Sequence, residues 1–195
     1  MWPKMFDNAA IVLAVFLCCF AVKLIDDFLD KEIDLSCGRC NWADRLGPGA
    51  MVYAVLLLSL AACLNSRVSL PLFFASYIIG MFNDMGTTLP SQLTGWQESL
   101  LVTTLGVIFF DFHIVLFALL FVASVQFFDD YLDMRSDRLC GQRNLACRFG
   151  PVVCLAGALI LFFAAWGLDE ALFMPVFTGT AIFYGLALHL AGRKI

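Results

Sequence analysis

Residues 129–151 read DDYLDMRSDRLCGQRNLACRFGP, and residues 26–48 read DDFLDKEIDLSCGRCNWADRLGP. A shift of 103 positions aligns the two stretches without a gap, and 12 of 23 positions are identical. The shared residues include all four aspartates, a Cys-Gly pair, an Asn, an Ala, an Arg and the closing Gly-Pro. Within each copy Asp27, Asp30 and Asp34, or Asp130, Asp133 and Asp137, are spaced 0, 3 and 7, which places them on one helical face. Any account of the chain must explain two matched acidic faces.

The surroundings of these stretches set the class. Of 195 residues, 62% are hydrophobic and 14% charged, and the mean hydropathy is +0.88. Such a chain is expected to be an all-α, polytopic membrane protein, one transmembrane domain over residues 1–195. The net charge is −4, and no basic tract points to nucleic acid. The N-terminus MWPKMFDN leads into an apolar run without a small-residue cleavage site, so a cleaved signal is not expected.

About seven membrane spans are predicted, over residues 9–25, 50–64, 68–82, 96–110, 114–128, 152–166 and 171–191. The first and fifth run into the acidic faces, and the second and sixth leave them after Gly-Pro. Asn65-Ser66-Arg67 and Asp111-Phe112-His113 are read as turns. The second is required because residues 99–128 as one helix would measure about 45 Å against about 30 Å of hydrocarbon. A polar loop over 85–95 separates the third and fourth spans. With this count Lys23, Lys31, Arg39, Arg45, Arg135, Arg138, Arg143, Arg148, Arg193 and Lys194 share one side, and only Lys4 and Arg67 lie opposite. That bias makes the motif side cytoplasmic, with the N-terminus outside and the C-terminus inside. Two parallel repeats follow, about 9–95 with motif 26–48 and about 112–191 with motif 129–151.

Three carboxylates within about 10 Å on one face repel one another, which a divalent cation or protonation relieves. All-oxygen donors suit Mg²⁺, which is usually held by one or two carboxylates plus substrate phosphates. Two such faces beside arginines would bind a diphosphate, and inside a membrane its natural carrier has a lipid tail. Ionisation of a C–O bond, with metals stabilising the leaving diphosphate, is the expected chemistry. The bland alternative is that the aspartates are hydrated helix ends at the membrane surface.

These residues resemble the two aspartate-rich motifs of the UbiA-type intramembrane prenyltransferases. The first motif, N-D-x-x-D-x-x-x-D, matches Asp26, Asp27, Asp30 and Asp34, with Asp in place of the leading Asn. The second, D-x-x-x-D-x-x-x-G with a further Gly nine residues on, matches Asp133, Asp137, Gly141 and Gly150. The wording from Asp137-Arg138 through Asn144-Leu145-Ala146 resembles the menaquinone-type branch, and Thr88-Leu89-Pro90 is similar to a family loop. The resemblance implies Mg²⁺ bound by Asp27, Asp30, Asp34, Asp133 and Asp137, with Asp130 added to the catalytic set. It also implies an isoprenyl diphosphate donor and a hydrophobic, often aromatic, acceptor within the membrane lipid. Where the family tends to place basic residues ahead of Thr-Leu-Pro, this chain has Asp84 and Met85. Lys23, Arg39, Arg45, Arg143 and Arg148 are the cations left to meet the diphosphate. Family members usually have nine spans, and a neighbouring chain in an oligomer could supply the two not found here.

Two other readings stand beside prenyl transfer: a membrane terpene cyclase on the same scaffold, and a non-catalytic protein binding lipid or divalent cations. A cation carrier would place its carboxylates near the bilayer midplane rather than at helix ends. Cys37-Gly-Arg-Cys40, with Cys140 and Cys147, has a metal or redox spacing, but reduced thiols are expected on a cytoplasmic face. Asp111 and His113 are assigned to a turn, and His189 to the membrane interface.

Overall fold

The computed structural model describes residues 2–39, 41–80, 85–141 and 144–192, with side chains over 7–190 of these. Cys40, Asp84, Gln142, Arg143, Arg193 and Lys194 lie outside the described residues. Among the described residues there are nine α-helices and no strand, only an isolated bridge between Thr88 and Thr94. In chain order they are α1 (Trp2–Leu29), α2 (Lys31–Ser36), α3 (Trp42–Leu46), α4 (Gly49–Gly80), α5 (Gly95–Phe110), α6 (Phe112–Cys140), α7 (Leu145–Phe149), α8 (Pro151–Leu168) and α9 (Glu170–Gly192).

Five helices are long and apolar enough to cross a membrane: α1 from Asp7, α4, α6, α8, and α9 as far as Leu190. Over their apolar windows they are apolar all round rather than on one stripe, which is the pattern of a span and not of a surface helix in water. Only 17% of the most apolar window of α4 or of α8 is buried, so most of those side chains point outward. In water such surface would be untenable, whereas lipid accepts it.

The expected breaks fall where the polar residues are. Asn65 interrupts α4 with φ −158° and ψ 90°, and its Oδ1 accepts from the Val68 amide at 3.2 Å, capping the second arm. Asp169, which ends α8, has nearly the same geometry, φ −151° and ψ 89°. Asp111 separates α5 from α6 at φ 80° and ψ 141°, a positive φ outside the helical wells that breaks the helix here. α5 has 16 residues, about 24 Å, so it is shorter than the five.

The chain forms two compact units, Met1–Leu70 with Ala171–Ile195, and Pro71–Glu170. These do not coincide with the sequence repeats of 9–95 and 112–191, because α9 packs on α1. A Cβ on Gly179 would sit 2.7 Å from the Val12 carbonyl oxygen and 2.9 Å from the Val15 Cβ. Only a residue without a side chain permits that approach. Phe16, Phe20 and Phe183 cluster beside this contact, with Phe20 and Phe183 ring centroids 5.0 Å apart. In the second unit α6 packs along α8, with the Phe127 ring over Gly157 and the Cys154 thiol donating to the Phe127 carbonyl at 3.1 Å.

Candidate functional site

Each motif begins at the end of a long helix. In the first unit α1 ends at Leu29, Asp30 bends the chain, and α2 continues it. The helical ladder survives the bend, because the Asp30 amide donates to the Asp26 carbonyl and the Asp34 amide to the Asp30 carbonyl, both at 2.9 Å. In the second unit α6 runs unbroken to Cys140. Both runs then stop at the shared Cys-Gly pair, where Gly38 (φ 66°) and Gly141 (φ 69°) take the left-handed conformation that ends helices.

The chain next folds back onto its own acidic face through an asparagine. Asn41 Nδ2 donates to the Asp27 carbonyl at 2.6 Å and to Asp34 Oδ2 at 2.8 Å. Its Oδ1 accepts from the Asp44 amide at 3.0 Å, capping α3, and the Trp42 amide donates to Asp27 Oδ2 at 2.9 Å. The second motif repeats the arrangement bond for bond. Asn144 Nδ2 donates to the Asp130 carbonyl at 2.8 Å and to Asp137 Oδ2 at 2.7 Å. Its Oδ1 accepts from the Cys147 amide at 3.1 Å, and the Leu145 amide donates to Asp130 Oδ2 at 2.9 Å. The six participating side chains, Asp27, Asp34, Asn41, Asp130, Asp137 and Asn144, are all buried. Buried carboxylates are tolerable because each meets donors.

The aspartates therefore divide by role. In both copies the first and last of the 0, 3, 7 set anchor the returning chain. The middle one is left more open: Asp30 is half-buried and Asp133 exposed. Burial raises the Asp30 carboxyl above its ordinary value, Asp34 and Asp27 add to the rise, and Lys23 and Arg39 oppose it. Asp26 is exposed and lies 3.7 Å from Lys23 Nζ.

The copies differ in what faces the first aspartate. Lys23 Nζ lies 2.8 Å from Asp27 Oδ1, while at the equivalent place Gln126 Nε2 donates to Asp130 Oδ1 at 3.0 Å. Lys23, a candidate for the diphosphate, is thus already paired with carboxylates. Arg39 is half-buried, and its amide donates to the Asp34 carbonyl at 2.9 Å. Arg45 and Arg148 are exposed, and the Arg148 guanidinium lies 5.1 Å over the Phe149 ring. Lys31 pairs with Asp44 at 3.2 Å.

Among the described residues no three His, Cys, Asp or Glu side chains are grouped so as to hold a metal ion. Mg²⁺ asks for less, one or two carboxylates completed by water and substrate phosphates. Asp30 with Asp34, and Asp133 with Asp137, match that requirement in donor chemistry. Asp27 and Asp130 have both oxygens engaged by donors of the chain itself.

The two asparagines carry the geometry and have no role in the 0, 3, 7 reading. The signal was present, since Asn is among the identical positions of the repeat. The cysteines require a correction: Cys37 and Cys140 are disulfide-bonded rather than reduced, whereas Cys147 is a free thiol donating to the Met134 carbonyl at 3.5 Å. The Thr88-Leu89-Pro90 loop is held by its own backbone, with the Leu89 amide donating to the Leu93 carbonyl at 2.8 Å. Glu98, at the start of α5, accepts from the hydroxyls of both Tyr77 and Ser91 and pins this loop to the second arm of α4. No family model, curated protein or solved structure matches the chain.

Proposed function

We propose that this chain is a Mg²⁺-dependent integral membrane enzyme that transfers an isoprenyl group from a prenyl diphosphate to a hydrophobic or aromatic acceptor. The observation that carries the reading is the duplicated Asp-Asn-Asp network, kept bond for bond across 103 residues while the positions around it diverge. Helix ends that were merely hydrated would not need buried carboxylates, nor the same returning asparagine twice.

In this reading the chain is a UbiA-like bundle of about seven spans, with α4 contributing one on each side of Asn65 and α5 one more. Both motifs face the cytoplasm. Asp30 and Asp34, and Asp133 and Asp137, would hold Mg²⁺, which would neutralise charge on the leaving diphosphate. Asn41 and Asn144 fix the carboxylates of Asp34 and Asp137 in advance, so no rotamer freedom is lost when the donor arrives. Arg39, Arg45, Arg143 and Arg148 supply cations for the phosphate oxygens. The C–O bond of the donor breaks with its electron pair leaving on the diphosphate. The acceptor then forms the new bond to the allylic carbon and gives up a proton.

Purified protein is incubated with Mg²⁺ and prenyl diphosphates of several lengths, and diphosphate release is followed with and without acceptors. Acceptor-dependent release, lost with chelator and in Asp30→Asn, is the expected outcome. Release that ignores acceptors indicates the terpene cyclase, and absence of release with every donor leaves a binding protein.

A further inference from the structure

We infer that the motif-side end of α6 is a docking surface for anionic phospholipid headgroups, with Arg135 and Arg138 as the recognising cations. This rests on the membrane reading but not on the proposed reaction. α6 has 29 residues, about 44 Å, so about nine residues extend beyond about 30 Å of hydrocarbon. With Phe112 at the far edge, the protruding part is 132–140, which crosses the headgroup layer and ends beyond it. Of its acidic face Asp130 and Asp137 are buried, while Asp133 is exposed.

The opposite face is a stripe of a different kind. Phe128, Leu132, Arg135 and Leu139 follow at spacings of 4, 3 and 4, all exposed, with Arg138 exposed at its flank. Leu139 is 89% exposed, an extreme value for a leucine at the end of a well-formed helix. Phe128 and Leu132 fall at the acyl boundary and Arg135 at headgroup depth, where its guanidinium meets phosphate.

Comparison of the two copies shows that the stripe is not a by-product of the motif. Arg135 corresponds to Glu32, Arg138 to Leu35 and Leu139 to Ser36, so the first copy is acidic or neutral where the second is basic. The inward aspartates and the asparagine are unchanged between copies. At these exposed positions of the helix the second copy is the more basic, although Lys31 of the first copy corresponds to Met134 of the second.

The test uses the full chain in detergent, titrated with phosphatidylglycerol or phosphatidylcholine, with bound lipid counted by native mass spectrometry. Each arginine near an anionic surface is worth about fivefold in affinity. The triple exchange Arg135→Glu, Arg138→Leu and Leu139→Ser, which installs the first copy's residues, should weaken phosphatidylglycerol binding at least tenfold. Phosphatidylcholine binding should be weak and unchanged. Should the exchange unfold the protein, Arg135→Gln with Arg138→Gln gives the same readout. Equal binding of the two lipids, or unaltered phosphatidylglycerol binding in the variant, overturns the inference. So does displacement by millimolar inorganic phosphate, which would make the site one for free anions. A doubled mass lost on the exchange would assign the stripe to a second copy and also overturn it.

Discussion

Asn41 and Asn144 each satisfy two acceptors and cap a helix with one side chain, so truncation affects several buried groups together. Asn41→Ala leaves the Asp34 carboxylate and the Asp27 carbonyl short of a donor and uncaps α3. A loss of about 2–4 kcal/mol is expected, combining an unpaired buried acceptor with a lost cap. Asn144→Ala should cost the same, because its contacts are the same. Asn41→Asp should cost more, since it replaces the donor to Asp34 with a like charge. Thermal unfolding in detergent measures all three. Asp30 gives a pH prediction of definite sign. Its carboxyl is raised in the folded chain, so between the ordinary Asp value and the raised one the folded state binds more protons than the unfolded. Stability therefore falls as pH rises through that window and is flat above it, and Asp30→Asn removes the slope. If Asp30 binds Mg²⁺ as proposed, protons would compete with the ion at pH values where an ordinary Asp is already ionised. Mg²⁺ affinity, read by calorimetry, should weaken on acidification through this window. A metal affinity independent of pH there would take Asp30 out of the metal site.

At the scale of elements, the contact between α1 and α9 is the tightest test. Gly179→Ala places a Cβ against the Val12 carbonyl oxygen and the Val15 Cβ, neither of which is a flexible side-chain end. Overpacking of about 1–3 kcal/mol is expected, seen as a lower unfolding temperature. Gly167→Ala, with open space around it, should be neutral or slightly stabilising, as Ala is the better helix former. The helices themselves were mostly legible in the sequence, because long apolar runs and the polar punctuation at Asn65 and Asp111 have local causes. α3 and α7 were not: five residues carry too little periodicity, and the bonds that hold their first residues reach aspartates 7, 14 or 15 positions back. The acidic faces were legible from spacing alone, but the separation of anchoring from open aspartates was not. That depends on where the chain returns after Gly38 and Gly141, a non-local matter. Likewise, nothing in the 0, 3, 7 pattern places α9 on α1.

For the whole molecule, the open question with a definite answer is which side of the membrane the motifs face. The basic residues favour the cytoplasm, while disulfides at Cys37 and Cys140 persist only where the surroundings are oxidising. A reducing cytoplasm would keep both as thiols in the cell, so their oxidation state there decides between the two orientations. Both residues sit beside the left-handed glycine that ends the motif helix, so their oxidation state is a report from the motif side itself. A membrane-permeant alkylating agent added to intact cells before lysis should therefore cap Cys37 and Cys140, whereas protein purified without it should carry disulfides. Peptide mass spectrometry separates the two. Single cysteines introduced at Ser36 and Leu139, both exposed, should resist an impermeant reagent applied outside, and those at Ser66 and Glu170, also exposed, should react with it. If instead Cys37 and Cys140 cannot be alkylated in cells and Ser36 and Leu139 positions react from outside, the orientation is inverted. The prenyl diphosphate would then have to be supplied from the outer face, where a cytosolic donor does not reach, and the proposed reaction would lose its substrate.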